Sequence, residues 1–329
     1  MSYAEQIFTQ KNVERMLWCI DLAMFGKEGY VYKNEDKMLD LIESTVVFGN
    51  DIALFYAIVW AKENGYNLTK QSAFLLGKTF NFEHSDYGTV TARIVDINNA
   101  YGNGVITCQT EKCIDYLEFD QAEMSNPDTY FQNGGNMNYV KSNIRQWLNS
   151  DAPKDWFVKQ HDYDRAPSYS SKSGFLYGMD SDLVNIIEAV ERTVDKKDNS
   201  EIHNGTSTSE TVERFTDKIF IPSKKEITNT SEWPVNASYE KHFQYYASAW
   251  GTQEANPTDV YPKNIKKPTM VIAKKYDLNP TEGIKYLTRT PVAGTPSDVI
   301  CISQNGQASW SENMPTKRNG IAPAFSIRF

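Results

Sequence analysis

His161-Asp162-Tyr163-Asp164 offers an imidazole and two carboxylates within four positions of this 329-residue chain. Hard cations need six or more oxygens from organised loops, and neighbouring acids in a polar loop are normally just solvated, so no metal site is expected there. Asp180 and Asp182 stand where a helix begins and read as capping and macrodipole residues. His84, His203 and His242 have no recognisable nucleophile beside them, and the sequence contains no G-x-S-x-G, H-E-x-x-H or Walker pattern. Of the four cysteines, Cys108 and Cys113 are five positions apart, which is wrong for a C-x-x-C pair and puts them on opposite faces of a single strand unless a hairpin brings them together. Cys19 and Cys301 stand alone, and all four read as reduced thiols acting as small hydrophobes. A protein without catalytic residues, metal or cofactor is expected.

The elements that would position any site begin with helices. Val13, Met16, Leu17, Ile20 and Met24 share one face of a helix that Gly26 and Gly29 would stop. Asn34 caps a second helix with Met38, Leu41, Ile42 and Val46 inward, and Asn50 caps a third that is apolar almost all round from Ile52 to Val59. Such helices cannot all hide their apolar faces alone, so they pack on the domain C-terminal to them or on another subunit. Near Gly77 the pattern changes to alternation: Thr89 to Ile97 and Val105 to Cys108 read as a hairpin around Gly102-Asn103-Gly104. Asn138 to Leu148 reads as a helix with Val140, Ile144, Trp147 and Leu148 on one side. Another starts at Asp180 or Ser181 and buries Leu183, Ile186, Ile187 and Val190. Asp195 to Glu210, with one large apolar residue, reads as a surface loop. Thr228 to Tyr286 is irregular and rich in aromatics. Tyr286 to Thr290, Val299 to Ser303, Ala308 to Trp310 and Asn319 to Ile327 read as the strands of a closing sheet, with Asn305-Gly306 as a hairpin turn.

A formal charge of -8 argues against a nucleic-acid surface, which needs clustered Lys and Arg. No run approaches the roughly 20 apolar residues of a membrane helix. The start, Met1-Ser2-Tyr3-Ala4-Glu5-Gln6, lacks the basic and apolar regions of a secretory signal, so synthesis in the cytoplasm is expected.

Four stretches occur in an order that carries a resemblance: Ser142-Asn143-Ile144-Arg145-Gln146-Trp147-Leu148-Asn149, Asp182 to Ile187, Asp217 to Ile227, and the ending Leu287-Thr288-Arg289-Thr290-Pro291 followed by Asn319-Gly320-Ile321-Ala322-Pro323-Ala324-Phe325. Together they resemble a domain family of Gram-positive bacteria and their phages, similar in fold to C-type lectins and to formylglycine-generating enzymes. The resemblance implies an α+β fold with a C-type-lectin-like domain over residues 79–329; the first 78 residues lie outside it, and their helical periodicity reads as an N-terminal anchoring or assembly region over residues 1–78. In such folds the opening and closing strands pair, which would set the Thr89–Cys108 hairpin beside the last strand.

The Glu-Pro-Asn, Gln-Pro-Asp and Trp-Asn-Asp sets of calcium lectins do not occur, and Cys301 is alone where the formylglycine-generating enzymes have two cysteines. Neither activity carries over. What the resemblance does imply is a ligand face on the late sheet: Tyr286, Ser303, Asn305, Gln307, Ser309, Trp310, Glu312 and Asn313, with Tyr245, Tyr246 and Trp250 beside them. Tyr and Trp offer broad amphipathic faces at low entropy cost. The implied role is a structural component of a phage virion, in its tail, fibre or capsid decoration, with other virion proteins and copies of itself as partners. The alternative is a host-adhesion protein that recognises a cell-surface glycan or protein.

Overall fold

The structure, a computed structural model, describes residues 10–44, 51–195, 212–228, 241–248, 285–292, 298–302, 308–309 and 314–329. The fold is α+β. Helix α1 (Gln10–Phe25) ends where Gly26 takes a positive φ of 53°. Asn34 caps α2 (Glu35–Glu43) by accepting from the Lys37 amide, and Met38, Leu41 and Ile42 are its buried side. Val46, Gly49 and Asn50 lie outside the described residues. Helix α3 (Asp51–Glu63) is buried from Ala53 to Ala61 apart from Tyr56. Its all-round apolar character is answered inside the chain, because it packs on α1 and on the first strand.

The strands are β1 (Thr79–His84), β2 (Gly88–Ile97), β3 (Val105–Thr110), β4 (Asp115–Glu118), β5 (Val190–Asp195), β6 (Val212–Asp217), β7 (Ile219–Phe220), β8 (Tyr286–Pro291), β9 (Val299–Ile302), β10 (Ala308–Ser309), β11 (Arg318–Ile321) and β12 (Ala324–Arg328). One sheet has the order β1-β2-β3-β12-β7 and a second the order β10-β9-β8-β11-β4; β5 and β6 form a separate hairpin. In the first sheet β12 runs antiparallel to β3, with Phe325 opposite Cys108 and Ile327 opposite Ile106. The closing strand therefore does lie beside the opening hairpin. Ala324 to Ile327 are all buried, as a central strand covered on both faces requires.

The late strands do not form one sheet. Between Ile321 and Ala324 the chain leaves the second sheet and enters the first, and Pro323, which has no amide to give to a ladder, marks the crossing. Its carbonyl still accepts from the Thr110 amide at 2.9 Å.

Hydrophobic side chains gather on both sides of the first sheet. On one side Leu22, Leu41, Phe55, Ile58, Phe80, Ile94, Cys108, Trp147 and Phe325 belong to one continuous cluster. On the other, Val95, Cys113, Phe220, Phe243, Tyr246, Tyr286 and Ile302 form a smaller one. Cys108 and Cys113 fall into different clusters, and all four cysteines are buried thiols outside any disulfide. Burial pushes the Cys19 thiol up to about 11 and the Cys113 thiol up to about 12, which keeps both protonated and inert.

Two helices are shorter than their periodicity predicts. The stretch from Asn138 to Leu148 breaks at Ser142, whose extended backbone separates a 3-10 turn (Tyr139–Lys141) from α4 (Asn143–Leu148). Asn138 and Ser142 each accept a hydrogen bond from an amide two or three residues on, and capping wins over a continuous helix. The helix capped by Asp180, α5 (Ser181–Ile186), stops before Val190, which opens β5. Two further short helices, α6 (Lys224–Thr228) and α7 (Gln244–Ser248), lie between β7 and β8 in the chain.

Candidate functional site

The His161–Asp164 run is largely consumed by the fold. Asp164 is buried and accepts from Asn143 Nδ2 at 3.0 Å and from the Gln160 amide at 2.8 Å. Beside it Asp120, also buried, accepts the amides of Asn136 and Asn143 at 2.7 and 3.0 Å, while burial raises its pKa. Asp162 faces solvent. His161 Nε2 approaches the buried Glu123 Oε1 at 3.3 Å, and burial pushes that carboxyl up. Among the described residues no group of three or more His, Cys, Asp or Glu is arranged to hold a metal ion. Asp180 caps α5 by accepting from the amides of Asp182 and Leu183, and Asp182 pairs with Lys27.

Two further imidazoles, those of His84 and His242, are also engaged. His84 sits against Phe175, with Nε2 on the Phe175 carbonyl at 3.0 Å and Nδ1 accepting from the Asp86 amide at 3.1 Å. Those two bonds define a neutral ring protonated at Nε2, and burial lowers its pKa accordingly. His242 places Nε2 on the Ile227 carbonyl at 3.1 Å. His203 lies outside the described residues.

The stretches that carry the family resemblance are joined by polar bonds, part-buried at Arg145 and Asn149 and fully buried at Arg289. Arg145 grips Asp217 through Nε (2.9 Å) and a terminal nitrogen (2.8 Å). Asn149 accepts from the amides of Lys218 and Ile219 and donates to the Ile219 carbonyl at 2.8 Å. Further on, Arg289 of β8 grips Glu226 of α6 with both arms of its fork, at 2.7 and 2.8 Å, and both side chains are buried. Tyr101 donates to the same carboxylate. These residues tie segments far apart in sequence, which is a structural role.

Of the eleven positions implied as a ligand face, the structure brings three together. Tyr246 and Tyr286 are buried in the smaller core cluster, and Tyr245 packs on it. Tyr246 donates to Gln109 Oε1 at 2.7 Å, and the Arg93 guanidinium lies 5.1 Å from the Tyr245 ring centre. Tyr246 and Tyr286 thus give their ring faces to the protein's own interior, as aromatics more often do. Ser309 lies in β10 opposite Cys301, with its side chain outside the described residues. Trp250, Ser303, Asn305, Gln307, Trp310, Glu312 and Asn313 also lie outside them.

An exposed surface of a different kind occurs on α1. Val13, Met16, Leu17, Ile20 and Met24 are 40, 51, 58, 48 and 68 % exposed. The helix is held by its other side, where Cys19 and Leu22 enter the core and Arg15 binds Asp40 of α2 through two hydrogen bonds of 3.0 and 2.7 Å. That contact holds the Asp40 carboxyl at about 2. An apolar stripe three turns long turned to solvent is the mark of an interaction surface.

Among the described residues no helix is long and apolar enough to cross a membrane. No curated protein and no solved structure matches the chain. A family model described as a domain of unknown function (DUF6273) matches residues 111–329, from just after β3 to the last strand. It takes in all four stretches that carry the resemblance and about two thirds of the chain, and the protein belongs to the DUF6273 family.

Proposed function

We propose that this chain is a non-enzymatic structural component of a phage virion that assembles with copies of itself through α1, while a C-type-lectin-like domain faces outward. The observation that carries the reading is the exposed stripe Val13-Met16-Leu17-Ile20-Met24. A second copy is the favoured partner on electrostatic grounds. Lys11 and Arg15 balance Glu14 and Asp21 on α1, so this neutral helix is a place where two chains of charge -8 approach with little repulsion. The pairing of the early β2–β3 hairpin with the last strand, β3 against β12, supports the lectin-like reading. Host adhesion is the weaker alternative, because the tyrosines that favoured it are turned inward.

Ten half-exposed side chains from two copies gain about 1 kcal/mol apiece on burial, or about 10 kcal/mol, against an association cost of about 4–15 kcal/mol. With the cost near its lower end, the surplus of about 6 kcal/mol corresponds to a dimer with a dissociation constant of roughly tens of micromolar, hence a concentration-dependent one. Sedimentation of the wild-type chain should show it, and the double substitution Leu17→Glu with Ile20→Glu should give a folded monomer at equal concentration. A wild-type chain that stays monomeric, or a variant that still associates, removes the assembly role. Mass spectrometry of purified particles tests the setting, and absence of the chain from them would sink it.

A further inference from the structure

Two arginines lie close together in the interior, and the described residues supply a carboxylate to one of them. Arg289 is answered by Glu226. Arg192 on β5 is as deeply buried, at 2 % exposure, yet no described carboxylate forms an ion pair with it. Its terminal nitrogens donate to the carbonyls of Val190 (2.7 Å) and Asp217 (3.0 Å) and to Ser326 Oγ (3.2 Å). Its Nε finds no acceptor among the described residues. The guanidinium lies over the Phe220 ring at 3.3 Å and near Tyr101 at 4.6 Å. Carbonyl dipoles and ring faces solvate a cation but leave its charge in place, and an arginine does not escape burial by losing its proton. The nearest carboxylate, Glu226, is already held by Arg289, and two buried cations that share one counter-ion are costly.

That arginine lines a cavity of about 150 Å³ between the β5–β6 hairpin, β8 and the loop after β2. Four cations border it, Arg192, Arg214, Arg289 and Lys241, against two carboxylates, Glu191 and Glu226. Glu226 is held by Arg289, and Glu191 pairs with Arg214 at 3.0 Å. The surplus positive charge therefore sits on Arg192 and on Lys241, whose Nζ is otherwise occupied by the Asn99 carbonyl. In a chain of charge -8 this is a local inversion of sign. The volume equals that of about five waters, too little for a drug-sized molecule of roughly 300 Å³ and enough for one phosphate-sized group.

We infer that this cavity binds a small oxyanion of phosphate type, held by Arg192 and Lys241, either as the free ion or as the end group of a phosphorylated small molecule. Calorimetry with inorganic phosphate and with glucose 6-phosphate, and thermal melts in phosphate against chloride of matched ionic strength, test it on the full chain. Phosphate should raise the melting temperature above the chloride control, and Lys241→Gln should weaken phosphate binding about tenfold, the loss expected for one charge-assisted contact. Tighter binding of the sugar phosphate identifies an end group, and equal binding a free ion. Arg192→Met should abolish binding; if that variant does not fold, the exposed position Lys241 decides. Coincident melts in phosphate and chloride, or binding unchanged in Lys241→Gln, overturn the inference.

Discussion

At Glu226 one carboxylate serves both arms of Arg289, the Tyr101 hydroxyl and the Ser223 amide. Removing one partner of a buried pair leaves the other charge stranded, which costs about 3–5 kcal/mol, whereas replacing both is far milder. Glu226→Gln should therefore lower unfolding stability in urea by about that amount, and the double variant Glu226→Gln with Arg289→Met by less than the sum of the single changes. A loss below about 1 kcal/mol for Glu226→Gln would show that water reaches the pair. Neither role is legible in the sequence, because a pair 63 positions apart has no local signature. Arg192 does leave one. On β5 the inward positions are Val190, Arg192 and Val194, so a cation stands where alternation calls for an apolar residue. That signal is hidden because Val190 also fits the apolar period of the helix before it.

Among the elements, α1 shows what periodicity can and cannot tell. The spacing of Val13, Met16, Leu17, Ile20 and Met24 locates the helix and groups the face, but a period does not say whether a face meets core or solvent. Tertiary anchors settle that: Arg15 to Asp40, and Leu22 with Cys19 in the core. Leu17 and Leu22 are the same residue type about 140° apart around one helix. Leu22→Ala should cost about 2–5 kcal/mol, as a fully buried leucine does, and Leu17→Ala less than about 0.5 kcal/mol in dilute solution. Denaturation midpoints compare them directly, and equal losses would mean that the α1 stripe is covered within the monomer. The helix expected at Asn138 to Leu148 errs in the other direction. Its apolar spacing is right for Ile144, Trp147 and Leu148, but Ser142 falls inside the periodic run although its hydroxyl makes it a cap. A capping residue inside a periodic run is ambiguous until the backbone is seen.

On the scale of the whole molecule, the change of pattern near Gly77 marks the point where helices give way to strands, since β1 begins at Thr79. It does not mark a gap in packing. Phe55 of α3 stacks on Phe80 with centres 6.1 Å apart, Phe80 meets Phe325 at 6.3 Å, and Phe82 meets Phe325 at 6.1 Å, so a line of rings runs from the third helix to the last strand. Lys62 at the end of α3 donates to the Arg328 carbonyl, and Lys27 pairs with Asp182 of α5. Sequence patterning reads each element's own faces, and contacts between residues 55 and 325 are beyond its reach. The consequence is testable by removing residues 1–78. Leu54, Phe55, Ile58, Val59 and Trp60 alone are buried side chains worth about 1.5–3 kcal/mol each, or about 10 kcal/mol together. Domains of ordinary stability hold only about 5–15 kcal/mol in reserve. The shortened chain 79–329 should therefore lose its cooperative melting transition and its near-ultraviolet circular dichroism. If it instead melts sharply with an intact aromatic spectrum, the first sheet holds without its helical cover. In that case the burial of α3 would mean docking between two separately stable units.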